Sequence, residues 1–340
     1  MNIIIGTSLL ILVLAIFTLF NYKAPYGTKA MGALASAACA SFLVEAFQDS
    51  FFGKVLGFQF LSEVGGANGS LSGVAAAILV AIAIGVTPGY AVLIGLSVSG
   101  TGIIPGFLAG YLVGFLVKWM ERNIPGGLDL ISIIIIGAPL TRLVAKLLTP
   151  LINSTLLTIG DILTSGAHSN PILMGIILGG TIVVVATAPL SSMALTAMLG
   201  LTGMPMAIGA LSVFGSSFMN GVLFHKLKLG SRKDNIAFAV EPLIQADVTS
   251  ANPIPIYVTN FVGGAACGIL IALMKLVNDT PGTATPIAGF AVMFAYNPMI
   301  KVLITALGCI ILSLLAGYFG GIVFKDYKLV TKEELQARDN

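Results

Sequence analysis

Apolar runs of spanning length recur along the whole chain, near 3–20, 28–47, 71–96, 103–120, 128–148, 172–198, 203–224, 253–277 and 300–324. A run of about 18 or more apolar residues is long enough to cross the hydrocarbon core of a bilayer as a helix. The pattern therefore predicts nine crossing helices, and 149–163 or 281–297 adds a partial span. The expected fold class is an all-α polytopic membrane protein of about 9–10 transmembrane helices with re-entrant hairpins. The first run, MNIIIGTSLLILVLAIFTLF, lacks a basic leader and is long enough to span. It reads as the first transmembrane helix and not as a signal peptide. The longest polar segments are HKLKLGSRKD (225–234) and the tail KDYKLVTKEELQARDN (325–340).

Composition agrees. Hydrophobic residues make up 57% of the 340 positions, charged residues 9%, and mean hydropathy is +1.01. A soluble domain carries about a quarter charged residues, so lipid is the solvent for most of this chain. The net charge of +3 comes without a long basic run, which excludes nucleic acid as a partner. Its distribution speaks to orientation instead. Lys226, Lys228, Arg232 and Lys233 sit in one polar segment, and Lys325, Lys328, Lys332 and Arg338 in the tail. The positive-inside rule places both on the cytoplasmic side, with a cytoplasmic C-terminus. Lys23 and Lys29 suggest the same side after the first helix, which favours an odd number of crossings.

The three cysteines, Cys39, Cys267 and Cys309, are isolated in apolar context and have no metal-ligand spacing. They read as packing residues, and no metal or cofactor is expected. Forty glycines, and small-residue runs such as MGALASAACASFL (31–43), predict close helix packing. GVTPGYAVLIGLSVSGTGIIPG (85–106) and ATAPLSSMALTAMLGLTGMPMAIG (186–209) also echo each other. In each a proline-broken apolar helix precedes a Thr-Gly turn. Duplication and chance both fit that echo.

The chemistry concentrates in NIAFAVEPLIQADVTSANPIPI (235–256), where Glu241 and Asp247 lie between apolar flanks. A charged group inside the membrane costs ~2.5–3.5 kcal/mol on insertion scales. Pro242 disfavours helix at Glu241, and Asn252, Pro253 and Pro255 break the chain again. The segment reads as a re-entrant hairpin that carries Glu241 to a wet cavity, with Asp247 near its turn or cytoplasmic mouth. A cytoplasmic loop with solvated acids is the plainer alternative. His168 lies in TSGAHSNPILMGI (164–176), after a small-residue turn and before a helix opened by Pro171, and it also fits a loop or helix cap. His225 reads as a solvated residue of the basic segment. Polar groups gather at NGS (68–70), SVSGTG (97–102), NST (153–155), SS (191–192) and SSFMN (216–220), all read as turns. There is no P-loop, no G-x-S-x-G and no H-E-x-x-H in the sequence.

Two of these stretches carry a family resemblance. Gly166-Ala167-His168 is similar to the G-x-H turn, and Ala239-Val240-Glu241-Pro242 to the G-x-x-E-P motif, of the IIC membrane components of the bacterial phosphotransferase system. The branch resembled includes proteins of the perfringolysin-regulator type. Phe238-Ala239-Val240 stands where the usual form reads Gly-Ile-Thr. The resemblance implies an EIIC-like homodimer. Residues 1–150 would be a scaffold membrane domain, 151–324 a transport domain and 325–340 a cytoplasmic tail.

It also implies a sugar site. Glu241 would accept a hydrogen bond from the sugar hydroxyl and act as its general base, and His168 would orient the sugar. Asn170, Asn252 and Asp247 complete the candidate solute-binding residues. The phosphoryl group would come from separate IIA and IIB partners, because no such domain is fused to the chain. At most the protein would be the membrane subunit of a sugar phosphotransferase. Two further functions fit the same residues: a phosphorylation-independent transporter of a small polar or anionic solute, and a membrane sensor.

Overall fold

The computed structural model describes residues 2–188, 192–240 and 242–334. No strand occurs among them. The helices are α1 (Asn2–Lys23), α2 (Gly27–Ala38), α3 (Gln59–Ser70), α4 (Ser72–Ala83), α5 (Pro88–Leu96), α6 (Ile103–Asn123), α7 (Leu128–Ser132) and α8 (Ala138–Ser169). They continue with α9 (Pro171–Thr187), α10 (Ser192–Met198), α11 (Gly203–Leu227), α12 (Arg232–Val240), α13 (Ala246–Ala251), α14 (Pro253–Leu273), α15 (Pro286–Tyr296) and α16 (Met299–Val323). Among the described residues six helical stretches are long and apolar enough to cross a membrane: 27–54, 103–123, 128–155, 203–227, 253–273 and 299–323. The α3–α4 pair, bent by 51°, makes a seventh if taken as one span. This is an all-α polytopic membrane fold. Every apolar run of the sequence is helical, but two runs are divided. The run at 71–96 splits into α4 and α5 around Gly85 and Pro88, and the run at 172–198 stops at Thr187 and resumes at Ser192.

The chain forms two compact units, Leu9–Ile159 and Gly160–Asn340 joined by Met1–Ser8. In the first, α4 packs on α2, α5 and α6. The α4–α6 contact is backbone against backbone. A Cβ on Gly106 would strike Gly73, and one on Gly110 would strike Ala77 at 2.6 Å. The sequence GFLAGYLVG, with glycine at every fourth position, supplies that groove. Arg142 is satisfied by the carbonyls of Ser97 and Ser99, so it closes the SVSGTG turn instead of facing lipid bare.

In the second unit α9 and α14 pack antiparallel along a glycine seam. Gly175 faces Gly268, and Gly179 faces Gly264. α11 packs on α9, α14, α15 and α16. Between α14 and α16 the chain turns in at 276–285 and returns as the short α15. Thr280 Oγ1 lies 2.7 Å from the Tyr296 hydroxyl at the mouth of this turn, and Asn297 bonds both backbone groups of Val277. Deeper in, Ser192 donates to the Ala284 carbonyl at 2.7 Å.

Three of the polar clusters read as turns are helical. NGS ends α3, NST lies inside α8 and SSFMN inside α11. Apart from Ser217, hydroxyls there return to their own helix: Thr155 bonds Leu151, and Ser216 bonds Val213. Where water is scarce the backbone keeps its ladder and the hydroxyl finds the preceding turn, which overrides the turn preference of these residues. The echo between 85–106 and 186–209 has a local counterpart. α5 and α10 are both short helices, each followed by a glycine in the left-handed region (Gly100, φ 76°; Gly200, φ 58°) and then by a long helix.

Candidate functional site

The backbone around Glu241 is broken as its prolines require. α12 ends at Val240, a 3-10 turn runs Pro242–Gln245, α13 spans six residues, and Pro253 opens α14. Glu241 itself lies outside the described residues, as does the side chain of Asp247 on α13. α12 starts with a reciprocal cap, in which Ser231 N and Oγ donate to Asp234 Oδ2 at 2.9 and 2.6 Å. This S-x-x-D pattern is legible in the sequence. Phe238 is fully buried, its ring centroid 4.2 Å from that of Phe224. A bulky anchor thus occupies the place where the family pattern has glycine.

α12 delivers Ala239 and Val240 to an open cleft of about 380 Å³. Its other walls are Phe214, Ser217, Phe218 and Gly221 of α11, and Pro286 and Ile287 at the start of α15. Two short helices that do not cross the unit therefore end at one place on α11. Phe214, in the cleft wall, stacks on Phe290 at 4.5 Å. The Ser217 hydroxyl is buried and has no hydrogen-bond partner. Between α11 and α14, outside the cleft lining, Asn260 Nδ2 donates to Asn220 Oδ1 at 2.9 Å. Both side chains are fully buried, and Asn220 Nδ2 and Asn260 Oδ1 remain unpartnered. The cleft volume lies at the lower end for small-molecule sites, and the walls that face it are almost wholly apolar.

The other expected site residues are placed as follows. α8 is helical through His168, whose side chain lies outside the described residues, so the small-residue turn expected there is helix. Asn170 is the N-cap of α9, accepting from Leu173 N at 3.1 Å. Asn252 is buried; its Nδ2 donates to Val248 and Val330 carbonyls at 2.9 and 2.8 Å, and its Oδ1 accepts from Val330 N at 2.9 Å. Both amide protons are spent on backbone. Asn170 and Asn252 are not brought together. They open the two antiparallel helices of the glycine seam at opposite ends, and the 17 residues of α9 rise about 25 Å. Thr249 ties the Glu241 segment to the far end of α9, donating to Thr187 O at 2.6 Å.

Sequence reasoning passed over a second set of intramembrane polar groups. The 27–54 span turns π-helical over Cys39–Leu43 and Ala46–Val55 and carries Glu45, Gln48, Asp49 and Ser50. Asp49 pairs with Lys54 at 2.7 Å and accepts from Ser62. The Glu45 carboxylate lies over Gly69 of α3, and Gln48 Oε1 and Ser50 Oγ are buried without partners. The signal was EAFQDS, two acids directly after a small-residue run. The apolar run 28–47 stops short of Gln48, Asp49 and Ser50, so hydropathy alone leaves them outside the span.

A family model described as "Phosphotransferase system, EIIC" matches residues 28–337. No curated relative and no solved structure matches the chain. With the all-α membrane fold and the broken Glu-Pro segment, the match covers nearly every element described above: the chain belongs to the EIIC family of phosphotransferase-system membrane permeases.

Proposed function

We propose that the protein carries a sugar or sugar-like polar solute across the cell membrane for phosphorylation by separate IIA and IIB proteins. The observation that carries this is the family match over 28–337. The cleft at the end of α12 supports it, since the Phe214 and Phe218 side chains in its wall suit the apolar face of a sugar ring. Glu241, one residue beyond Val240 in the cleft wall, is the general base, taking the proton of the sugar hydroxyl as it attacks phosphorus. The reading rests on Glu241 and not on a His168–Glu241 pair, because their neighbours Asn170 and Asn252 open opposite ends of the α9–α14 seam. His168 and Asn170 act on the solute at the other end, and Asp247 lines the approach to Glu241. The lysines of 225–234 and of the tail face the cytoplasm, where the IIB protein docks, and the protein works as a homodimer. Residues 1–150 form its scaffold and 151–324 its transport domain.

The test is uptake into inverted-control and right-side-out vesicles supplied with IIA and IIB, over a panel of radiolabelled hexoses, hexitols and disaccharides. One sugar is expected to accumulate as its phosphate, dependent on IIB. Glu241→Gln should lower phosphate formation by about 10²–10⁴-fold, the range for losing a general base. His168→Ala should raise the half-saturating sugar concentration with a smaller effect on the maximal rate, the pattern of a residue that acts before chemistry. Uptake of free sugar with no IIB dependence would overturn the coupling. A Glu241→Gln variant with normal product would overturn the site.

A further inference from the structure

The C-terminal segment is docked on the fold through its described residues, up to Glu334. After α16 it returns along the broken segment and is fixed to it at four points. Val330 exchanges both backbone hydrogen bonds with the Asn252 side chain. Lys332 N donates to the Leu229 carbonyl at 3.0 Å. Leu329 packs against the buried cluster of Leu223, Phe224, Phe238 and Val248. Lys332 Nζ then reaches two acceptors, Asp234 Oδ1 at 2.7 Å and Gln245 Oε1 at 2.8 Å. Asp234 lies on α12, before Glu241, and Gln245 ends the 3-10 turn after it. One ammonium group therefore bridges the two arms that flank Glu241. Gln245 is buried and Asp234 and Lys332 are each only 20% exposed, so the bridge is largely shielded from water and salt.

We propose that residues 327–334 are a latch on the Glu241 segment, with Lys332 as a positioning residue that holds its two arms in register. The latch rests on the proposed function only in taking Glu241 as the working residue. Its geometry also sets a mechanism of release. Lifting the tail removes the ammonium from both arms together, frees the Asn252 amide, and uncovers the cluster under Leu329. The arms then lose their charged bridge and keep only the longer Gln245 Nε2–Asp234 Oδ1 hydrogen bond at 3.4 Å, the packing of Phe238 and Val248 in the cluster, and Thr249 on α9.

Hydrogen–deuterium exchange on the intact protein in lipid nanodiscs tests it without any solute. Lys332→Met is expected to speed exchange in both 235–240 and 242–251 by about tenfold or more, the opening that loss of a charge-assisted hydrogen bond gives. α9 and α14 should be unchanged, and Lys332→Arg should restore protection in both arms. A chain ending at Lys328, which also loses Leu329 and the Val330–Asn252 pair, should loosen both arms at least as much as Lys332→Met does. Unchanged arms, loosening of one arm alone, failure of arginine to rescue, or loosening spread through α9 and α14 would each overturn the latch. Failure of the latch leaves the permease reading standing. Normal phosphorylation by Glu241→Gln would remove that reading and leave the latch.

Discussion

Asp234 shows how far one side chain can be committed by its neighbours. The Lys332 ammonium hydrogen-bonded to it, with help from the Ser231 cap, holds its carboxyl down at about 2 against an ordinary 3.8. A carboxyl depressed on folding stabilises above its unfolded pKa, and that stability fades as pH falls through the folded value. The contribution, on the order of 2 kcal/mol, is therefore complete at neutral pH and lost between about pH 4 and pH 2. Protection of 235–251 against exchange should fall over that window in the wild type. Asp234→Asn should show the same loss already at pH 7 and no further loss from this group on acidification. At this scale much of the sequence was legible by type and little by partner. Asn170 before Pro171 is a helix cap that the S-N-P spelling announces. Asn252 looked as free for a solute as Asn170, yet its amide is bonded to Val330, 78 residues away, and no local pattern carries such a pairing. The bridge from Lys332 to Asp234 spans 98 residues and was hidden for the same reason.

Among the elements, the clearest prediction concerns the glycine seam. A side chain on Gly268 would run into the Gly175 carbonyl, and one on Gly179 into Gly264. Gly268→Val should push α9 and α14 apart and cost roughly 1–3 kcal/mol, as overpacking does, seen as a lower melting temperature in detergent. The same change at Gly32, where a Cβ meets nothing within 4 Å, should leave that temperature within error. Composition showed that glycines would serve packing, but not which helices they join. Helix positions were legible because twenty apolar residues have few other uses. Their interruptions at 84–87 and at Ala188 were less so, since an apolar run stays apolar through a break. The prolines at 88, 242, 253 and 286 are the marks that survive, each sitting in the first turn of a helix or 3-10 segment.

For the molecule as a whole, charge sets orientation. Lys226, Lys228, Arg232, Lys233, Lys325, Lys328 and Lys332 lie at the end of α11, the start of α12 and the segment after α16, at the Glu241 end of the seam. Single cysteines at Lys228 and Lys328, in a chain with its native cysteines replaced, should react with an impermeant maleimide only in inside-out vesicles. A cysteine at Lys275, at the other end of α14, should react only in right-side-out vesicles. Reaction of all three from one side would refute the orientation. That the fold is a helical membrane protein followed from hydropathy alone. That two short helices end together on α11 did not, because the depth at which a segment stops depends on what it packs against.

The seam between α9 and α14 has a mechanical consequence. Main chain pressed on main chain leaves no rotamers to rearrange, so the two helices can shift only together, as one plank. Any swing of this unit must be taken up where the plank's ends lose their ladder, beside Asn170, Ala188 and Asn252. Those joints, and not the middle of either helix, are where substitutions that stiffen the backbone would slow the protein without unfolding it.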